Sequence, residues 1–287
     1  MAFLIEERKR LISVRDNIDY ELNKIKSALA AIPPPLPYTD IQVKYHMTRD
    51  VEKNVIEGKY VGLETHLTGG RRHSEYINPG LINGFATYAT PRVNASSREF
   101  FERIGIKDPR REVDFDEFVR TTPYSYVKNN GRGIATTVDD NVLINKERRT
   151  VLKFLRSRRS IGNFLMSVYI SAGYADLLGC AKCIAFYPDM LCAEYEYAGE
   201  SVRMVLENLE AQHSLGQLRR VKVDEDALLR EEIMYTNIYK ILDNFRFYGH
   251  LVPTSLESHN FCVDKETGVV KMSCVEWMAP QCLLCDQ

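Results

Sequence analysis

The sequence predicts an α+β protein in which an amphipathic helical arm precedes a mixed globular domain. Three observations predict this class. An apolar heptad pattern fills residues 1–32, prolines crowd residues 33–37, and residues 231–277 have the pattern of a long helix, a tight loop and a β-hairpin. With 45% hydrophobic residues, the 287-residue chain can bury a core. We expect the α+β domain to span 38–287, with a sub-boundary near residue 120.

The charge balance and the first residues limit the class of protein. Lys and Arg number 38 against 39 Asp and Glu, a net charge of -1, so a generally nucleic-acid-seeking surface is not expected. No apolar run is long enough for a membrane span. The start, MAFLIEERKR, lacks the apolar stretch of a signal peptide. We therefore expect a cytoplasmic or other intracellular location, the interior of a virion included.

The arm has one apolar side and one charged side, as in a coiled coil. At 1.5 Å per residue, a helix over most of residues 1–32 would reach roughly 45 Å. It would contact either another subunit, in a homo- or hetero-oligomer, or its own domain, and the prolines at 33–37 predict an extended spacer behind it. The predicted contact positions are Leu4, Leu11, Val14, Ile18, Leu22 and Ile25.

Short patterns predict the elements of the first half of the domain. Residues 41–45 alternate like a strand, and Ser96 caps a short helix that runs to Ile104. Residues 113–119 suit a second short helix or a strand. Three short strands are expected between 124 and 144, because turn signals divide this stretch.

A basic helix is predicted over residues 146–172, since apolar residues recur there at helical spacing. Its first half is rich in cations. They favour nucleic acid or an acidic partner, and the alternative is a solvated face. The cations are Lys146, Arg148, Arg149, Lys153, Arg156, Arg158 and Arg159.

A β-hairpin over 182–197 follows, and taken together residues 124–277 resemble a protein-kinase-like module in the order of their elements. Gly131 and Gly133 are similar to part of the glycine-rich loop, and Lys146 ends a stretch similar to the strand that carries the nucleotide lysine. The next helix and the hairpin take the places of the family's following helix and hinge. The resemblance implies nucleotide contacts at these residues.

The resemblance continues through the last helix of the domain, predicted at 231–248. The loop behind it lines up with the family's catalytic loop through Leu256 and Asn260, and the hairpin that starts at Phe261 resembles the one that ends at the metal-binding Asp-Phe-Gly. Asn260 is accordingly the fourth candidate for nucleotide binding.

The departures from the kinase pattern fall on the catalytic positions. Ser255 stands where the family has its catalytic Asp, and Cys274 stands where it has the metal-binding Asp. Residues 148–172 contain no Glu to pair with Lys146. Because phosphoryl transfer needs these groups, the resemblance implies a catalytically inactive module.

Seven cysteines all fall at or after Cys180, in two pairs of C-x-x-C spacing among others. Four thiolates, those of Cys180, Cys183, Cys282 and Cys285, would suit a tetrahedral zinc site. The two pairs lie far beyond the usual spacing of zinc ligands, so the alternative is buried, reduced thiols without any cofactor.

These patterns together predict a non-enzymatic interaction or assembly protein, such as a structural subunit of a larger complex or of a viral particle. Two alternatives stay open: a catalytically inactive kinase-like scaffold or nucleotide binder, and a nucleic-acid-binding protein that uses residues 146–159. No membrane partner is expected.

Overall fold

The protein has an α+β fold with helices and antiparallel sheets, as the sequence predicts. A computed structural model describes residues 20, 22, 24, 40–57, 67–68, 79–105, 113–127, 139–155, 160–206, 225–254, 256–273 and 275–280. The chain divides into two compact units. We name them the sheet unit, residues 40–176 and 181–197, and the long-helix unit, residues 1–39, 177–180 and 198–287.

The sheet unit contains five helices and seven strands among the residues described. The helices are α1 (Asp40–Ile56), α2 (Pro79–Ala89), α3 (Ser97–Arg103), α4 (Phe115–Thr121) and α5 (Ile161–Gly173). The strands are β1 (Leu67–Thr68), β2 (Val113–Asp114), β3 (Ser125–Val127), β4 (Asp139–Asn145), β5 (Thr150–Phe154), β6 (Cys183–Tyr187) and β7 (Cys192–Glu196). A short helical turn, Ala175–Leu178, lies at the boundary between the units.

A five-stranded antiparallel sheet in the order β3-β4-β5-β7-β6 organises this unit. The strands β3, β4 and β5 are consecutive neighbours, then α5 intervenes, and β7 returns beside β5 with β6 at the edge. The predicted hairpin at 182–197 is confirmed as β6 and β7, which pair antiparallel.

An aromatic core covers one face of the sheet. Phe100 of α3 contacts Phe118 of α4, with their ring centroids 6.3 Å apart, and it contacts Tyr187 of β6 at 5.0 Å. Leu152 and Phe154 of β5 belong to the same cluster of buried side chains. The predicted cap is confirmed, because the Ser96 hydroxyl accepts a hydrogen bond from the Arg98 N–H at 3.1 Å.

The predicted strand at residues 41–45 is wrong, because these residues lie in helix α1. Ile41, Tyr45, Thr48, Val51 and Val55 are buried, and their spacing of three and four residues places them on one side of a helix. Residues four apart, such as Ile41 and Tyr45, share a face both in a helix and in a strand. The short pattern over residues 41–45 therefore fits either conformation.

The predicted helix over 146–172 is also wrong in its first half. Residues 146–149 form a turn, Thr150–Phe154 is strand β5, and α5 begins only at Ile161. The side chains of β5 alternate between buried and half-buried, the period of a strand. Pairing with β4 on one side and β7 on the other satisfies its backbone, and this tertiary pairing decides its conformation.

Among its described residues, the long-helix unit contains the helix α6 (Glu225–Gly249) and five strands. The strands are β8 (Glu200–Ser201), β9 (Leu251–Pro253), β10 (Phe261–Val263), β11 (Val270–Met272) and β12 (Met278–Pro280). The predicted last helix and the hairpin that follows it are confirmed as α6, β10 and β11. The helix ends at Gly249, and His250 then turns the chain with a positive φ of 51°.

The arm is described at three residues only. Leu22 is buried, with 2% of its surface exposed, whereas Tyr20 and Lys24 are exposed. Leu22 therefore packs within the chain itself and offers little surface to another subunit. The other predicted contact positions, Leu4, Leu11, Val14, Ile18 and Ile25, lie outside the described residues. Among the helices described, none is both long and apolar enough to cross a membrane.

Candidate functional site

Lys153 lies on the third strand of the five-stranded sheet. Its register partner on β7 is Ala193, whose own partner on β6 is Phe186. Cross-strand partners point to the same face of a sheet, and Phe186 contacts Phe164 of α5, with 6.2 Å between their ring centroids. Lys153 therefore lies on the face that α5 covers, opposite the aromatic core, and is half-buried there.

Lys146, the lysine that the sequence pattern singled out, lies in the turn between β4 and β5 and is exposed. In this turn the Asn145 side-chain oxygen accepts a hydrogen bond from the Arg148 N–H at 3.0 Å. Arg149 has a positive φ of 53°, in the left-handed region. Lys146 is thus a turn residue and does not belong to a central strand.

The predicted basic helix does not exist as one surface. Lys146, Arg148 and Arg149 lie in a turn, and Lys153 lies in β5, so these four do not share a helical stripe. A strand and a turn distribute side chains differently from a helix, which is why the predicted surface is lost. The remaining predicted site residues of this segment, Gly131, Gly133, Arg156, Arg158 and Arg159, lie outside the described residues.

Asn260 ends the loop that follows β9 and begins the β10–β11 hairpin. Its side chain is 1% exposed, and its Oδ1 accepts no hydrogen bond among the described residues. Its backbone carbonyl accepts hydrogen bonds from the Ser273 N–H at 2.8 Å and from the Ser273 hydroxyl at 3.1 Å. Asn260 is therefore held in place by its backbone while its side-chain oxygen stays unpaired.

The loop that ends at Asn260 lies between strands β9 and β10, and each of these strands belongs to an antiparallel pair. β9 pairs with β12, and β10 pairs with β11. Within the loop, His259 and Glu257 form an exposed pair with 3.1 Å between Nδ1 and the carboxylate. Ser255 and Cys274, which stand at the catalytic and metal positions of the resemblance, lie outside the described residues.

The described cysteines of the proposed zinc set are buried thiols. Cys180 is 1% exposed and belongs to the long-helix unit, and Cys183 is fully buried in β6 of the sheet unit. Cys282 and Cys285 lie outside the described residues. Among the residues that the structure describes, no group of three or more His, Cys, Asp and Glu side chains suits a metal ion.

A buried polar cluster around Glu194 lies in the middle of β7, on the side of the aromatic core. The carboxylate accepts hydrogen bonds from the Tyr187 hydroxyl at 2.9 Å and from the Arg103 guanidinium at 2.5 Å. The Tyr124 hydroxyl donates to its other oxygen at 3.4 Å. Glu194 is 1% exposed, whereas the Arg103 side chain is 40% exposed. The cluster ties the end of α3 to the sheet.

Burial shifts the titration of the groups in this cluster. Burial is the main cause that raises the pKa of Tyr124 to about 12, and the charge of Glu194 adds a smaller rise. The same two causes raise the pKa of Tyr187 even more. Burial followed by the charge of Glu194 raises the pKa of the Cys192 thiol. Burial lowers the pKa of Arg103 and the hydrogen bond to Glu194 raises it, with a net rise. The two tyrosines and the thiol are therefore neutral at neutral pH, as a buried structural cluster requires.

We expect the protein to lose stability at alkaline pH through Tyr124. Its pKa rises from 10.0 to about 12 on folding, so the unfolded chain binds fewer protons between these values and stability falls as pH rises through them. The loss from this group is about 3 kcal/mol, and Tyr187 adds to it. Urea unfolding at about pH 9 and about pH 12 measures it. A Tyr124→Phe variant that loses as much stability as the wild type would contradict this assignment.

Sequence reasoning placed Lys153 among the cations of a helix and not on a strand, and it missed Glu194. The run Thr-Val-Leu-Lys-Phe at 150–154 contained the signal for Lys153, because a short apolar run that starts with β-branched residues suits a strand. Glu194 was visible as a lone acid in an apolar strand. Its partner Arg103 lies 91 residues earlier, so no local pattern identifies the pair.

Comparison of the chain with protein-family models found no match, and neither did comparison with curated proteins.

Proposed function

We propose that this chain is a non-enzymatic interaction protein built on a catalytically inactive, protein-kinase-like module that keeps weak nucleotide binding. The observation that carries the proposal is the position of Lys153. Protein kinases carry their nucleotide lysine on the third strand of the sheet, and Lys153 lies on the third strand of the five-stranded sheet, immediately before helix α5. Lys153 replaces Lys146 as the candidate nucleotide lysine.

The order of the remaining elements supports the same proposal. After α5 comes the β6–β7 hairpin, at the place of the hinge, and then the long helix α6. The loop that ends at Asn260 is followed by the β10–β11 hairpin, as in the resemblance described above.

The residue types argue against phosphoryl transfer. The catalytic position holds Ser255 and the metal position holds Cys274, and α5 contains no acidic residue that would pair with Lys153. A serine is a poor base and a cysteine sulfur is a poor magnesium ligand, so the transfer step lacks its two main groups. A module that keeps its scaffold without these groups serves in contacts with other proteins.

Thermal shift with ATP tests the nucleotide part of the proposal. We expect ATP to raise the Tm of the full chain to the same extent with and without Mg²⁺, because one of the two metal-binding groups is missing. The Lys153→Met variant should bind ATP at least about tenfold more weakly, since one charge-assisted contact is lost. The matched Lys146→Met variant removes an exposed turn lysine and should bind like the wild type.

Three results would contradict the proposal. The purified chain would transfer phosphate from ATP, ATP would leave the Tm unchanged at millimolar concentration, or the Lys146→Met variant would lose binding while Lys153→Met keeps it. The first removes the non-enzymatic role, and the other two remove Lys153 as a nucleotide contact.

A further inference from the structure

Helix α5 is covered on two sides within the sheet unit. Its residues Ile161 and Gly162 are buried, and so is every residue from Phe164 to Ser171. Phe164 contacts Phe186 of the sheet on one side. Helix α1 packs along α5 as well. A helix that is buried around its whole circumference needs a cover besides the sheet, and α1 supplies it.

Helix α1 approaches α5 closely at Gly162. A Cβ at this position would lie 2.3 Å from the Glu52 carboxylate and 3.2 Å from the Thr48 carbonyl oxygen, so only glycine fits without a shift. The carboxylate of Glu52 thus lies beside the first turn of α5. This turn contains no acidic residue of its own, and a negative charge there interacts favourably with the helix dipole.

Arg49 of α1 connects the two helices through a polar bridge. It donates a hydrogen bond to Glu52 at 2.5 Å and another to the side-chain oxygen of Asn163 in α5. Its guanidinium also lies 4.9 Å from the ring centroid of Tyr45. The side chain of Glu52 is 12% exposed, so water screens this bridge only in part.

The buried side of α1 contains polar residues that define its position. Thr48 is fully buried, and its hydroxyl donates to the Tyr45 carbonyl at 2.8 Å. Lys44 is 6% exposed, and its Nζ lies 3.7 Å from the ring centroid of Tyr88 in α2. The Thr48 hydrogen bond lies within α1 and stays with the helix, whereas sliding of α1 would break the contact of Lys44 with Tyr88, so this contact favours one placement of α1.

We propose that α1 is a built-in clamp that holds α5 in one position against the sheet. The proposal rests on the function proposed above. In protein kinases an ion pair between the strand lysine and a glutamate fixes the helix in this place, and movement of that helix switches the module. Helix α5 lacks the glutamate. In this chain α1 holds the helix from its outer side, so the module stays in one state.

Hydrogen exchange of the full chain tests the clamp with two glycines of the same helix. In Gly162→Ala the added Cβ turns the Glu52 carboxylate out of its position in the bridge and presses on the backbone carbonyl of Thr48, so we expect amide exchange in α1 and in the first turns of α5 to rise about tenfold. The matched control is Gly173→Ala, where an added Cβ meets nothing within 4 Å. Alanine by itself strengthens a helix, so an effect confined to α5 would slow exchange there. Loss of the clamp therefore predicts faster exchange in α5, whereas the helix propensity of alanine predicts slower exchange there.

A second pair of variants covers the case in which Gly162→Ala does not fold. Arg49→Met removes the bridge and keeps Gly162, and it should also speed exchange in α1 and α5. Its control is Arg98→Met, which breaks an exposed ion pair with Glu102. The clamp is overturned if α1 and α5 exchange at the wild-type rate in both Gly162→Ala and Arg49→Met. The measurement contains no nucleotide, so a failure of ATP binding at Lys153 does not affect it.

Discussion

Replacement of Gly199 by alanine is expected to destabilise the long-helix unit by roughly 3 kcal/mol, the sum of backbone strain and overpacking. Gly199 has a φ of +105°, which an L side chain rarely adopts. An added Cβ would lie 2.0 Å from the Val263 carbonyl oxygen and 2.6 Å from the Asp264 nitrogen. Both are backbone atoms, so no side chain can rotate away to make room.

The substitution should mainly weaken the pairing of β8 with β10. Glu200, next to Gly199, is the register partner of Val263, so any shift of the backbone opens this pairing. The midpoint of urea unfolding should fall, and hydrogen exchange should rise first at β8 and β10.

Gly268→Ala is the matched control for this prediction. Gly268 also has a positive φ, of +70°, but an added Cβ meets nothing within 4 Å. The Gly268→Ala variant should therefore lose only about 1 kcal/mol of stability, which is the backbone strain alone. Equal losses in the two variants would show that backbone strain alone determines the effect and that the contact with Val263 has no part in it.

Removal of Glu194 should be the next most damaging change, with a loss of about 3 kcal/mol for Glu194→Ala. The carboxylate is the common acceptor of Arg103, Tyr187 and Tyr124, so its loss leaves buried donors without their partner. Because the Arg103 side chain is 40% exposed, water recovers part of this loss. Urea unfolding at neutral pH measures the change.

Two further variants sharpen the test of the cluster. Glu102→Ala removes an exposed carboxylate that pairs with Arg98 at 3.0 Å, and such pairs contribute at most about 1 kcal/mol. Glu194→Gln keeps the shape and removes the charge, so its loss should lie between those of the two alanine variants. If Glu194→Ala is as stable as Glu102→Ala, the cluster does not hold α3 on the sheet.

Local patterns were sufficient wherever an element had its own period and its own end signals. The long helix α6 and the hairpin of β10 and β11 follow from apolar spacing and a turn, and the cap at Ser96 follows from its side chain. Asn260 became a candidate in another way, through the resemblance of its loop to the catalytic loop of protein kinases.

Local patterns failed at α1 and β5, where the same residues suit two conformations. The apolar residues of Thr150–Phe154 are compatible with a buried helix as well as with a buried strand, and cations on both sides favoured the basic helix. The neighbours β4 and β7 decide in favour of the strand. With that decision the candidate lysine moves from Lys146 to Lys153.

The sequence by itself determined the α+β class and the long helix with its hairpin, because composition and short-range periodicity encode them. Only the tertiary structure decided that Lys153 lies on a central strand, that Glu194 meets Arg103, and that α1 covers α5. The physical reason is the same in each case. Backbone pairing, charge pairing and the covering of an apolar face depend on partners distant in the chain, and folding alone brings them together.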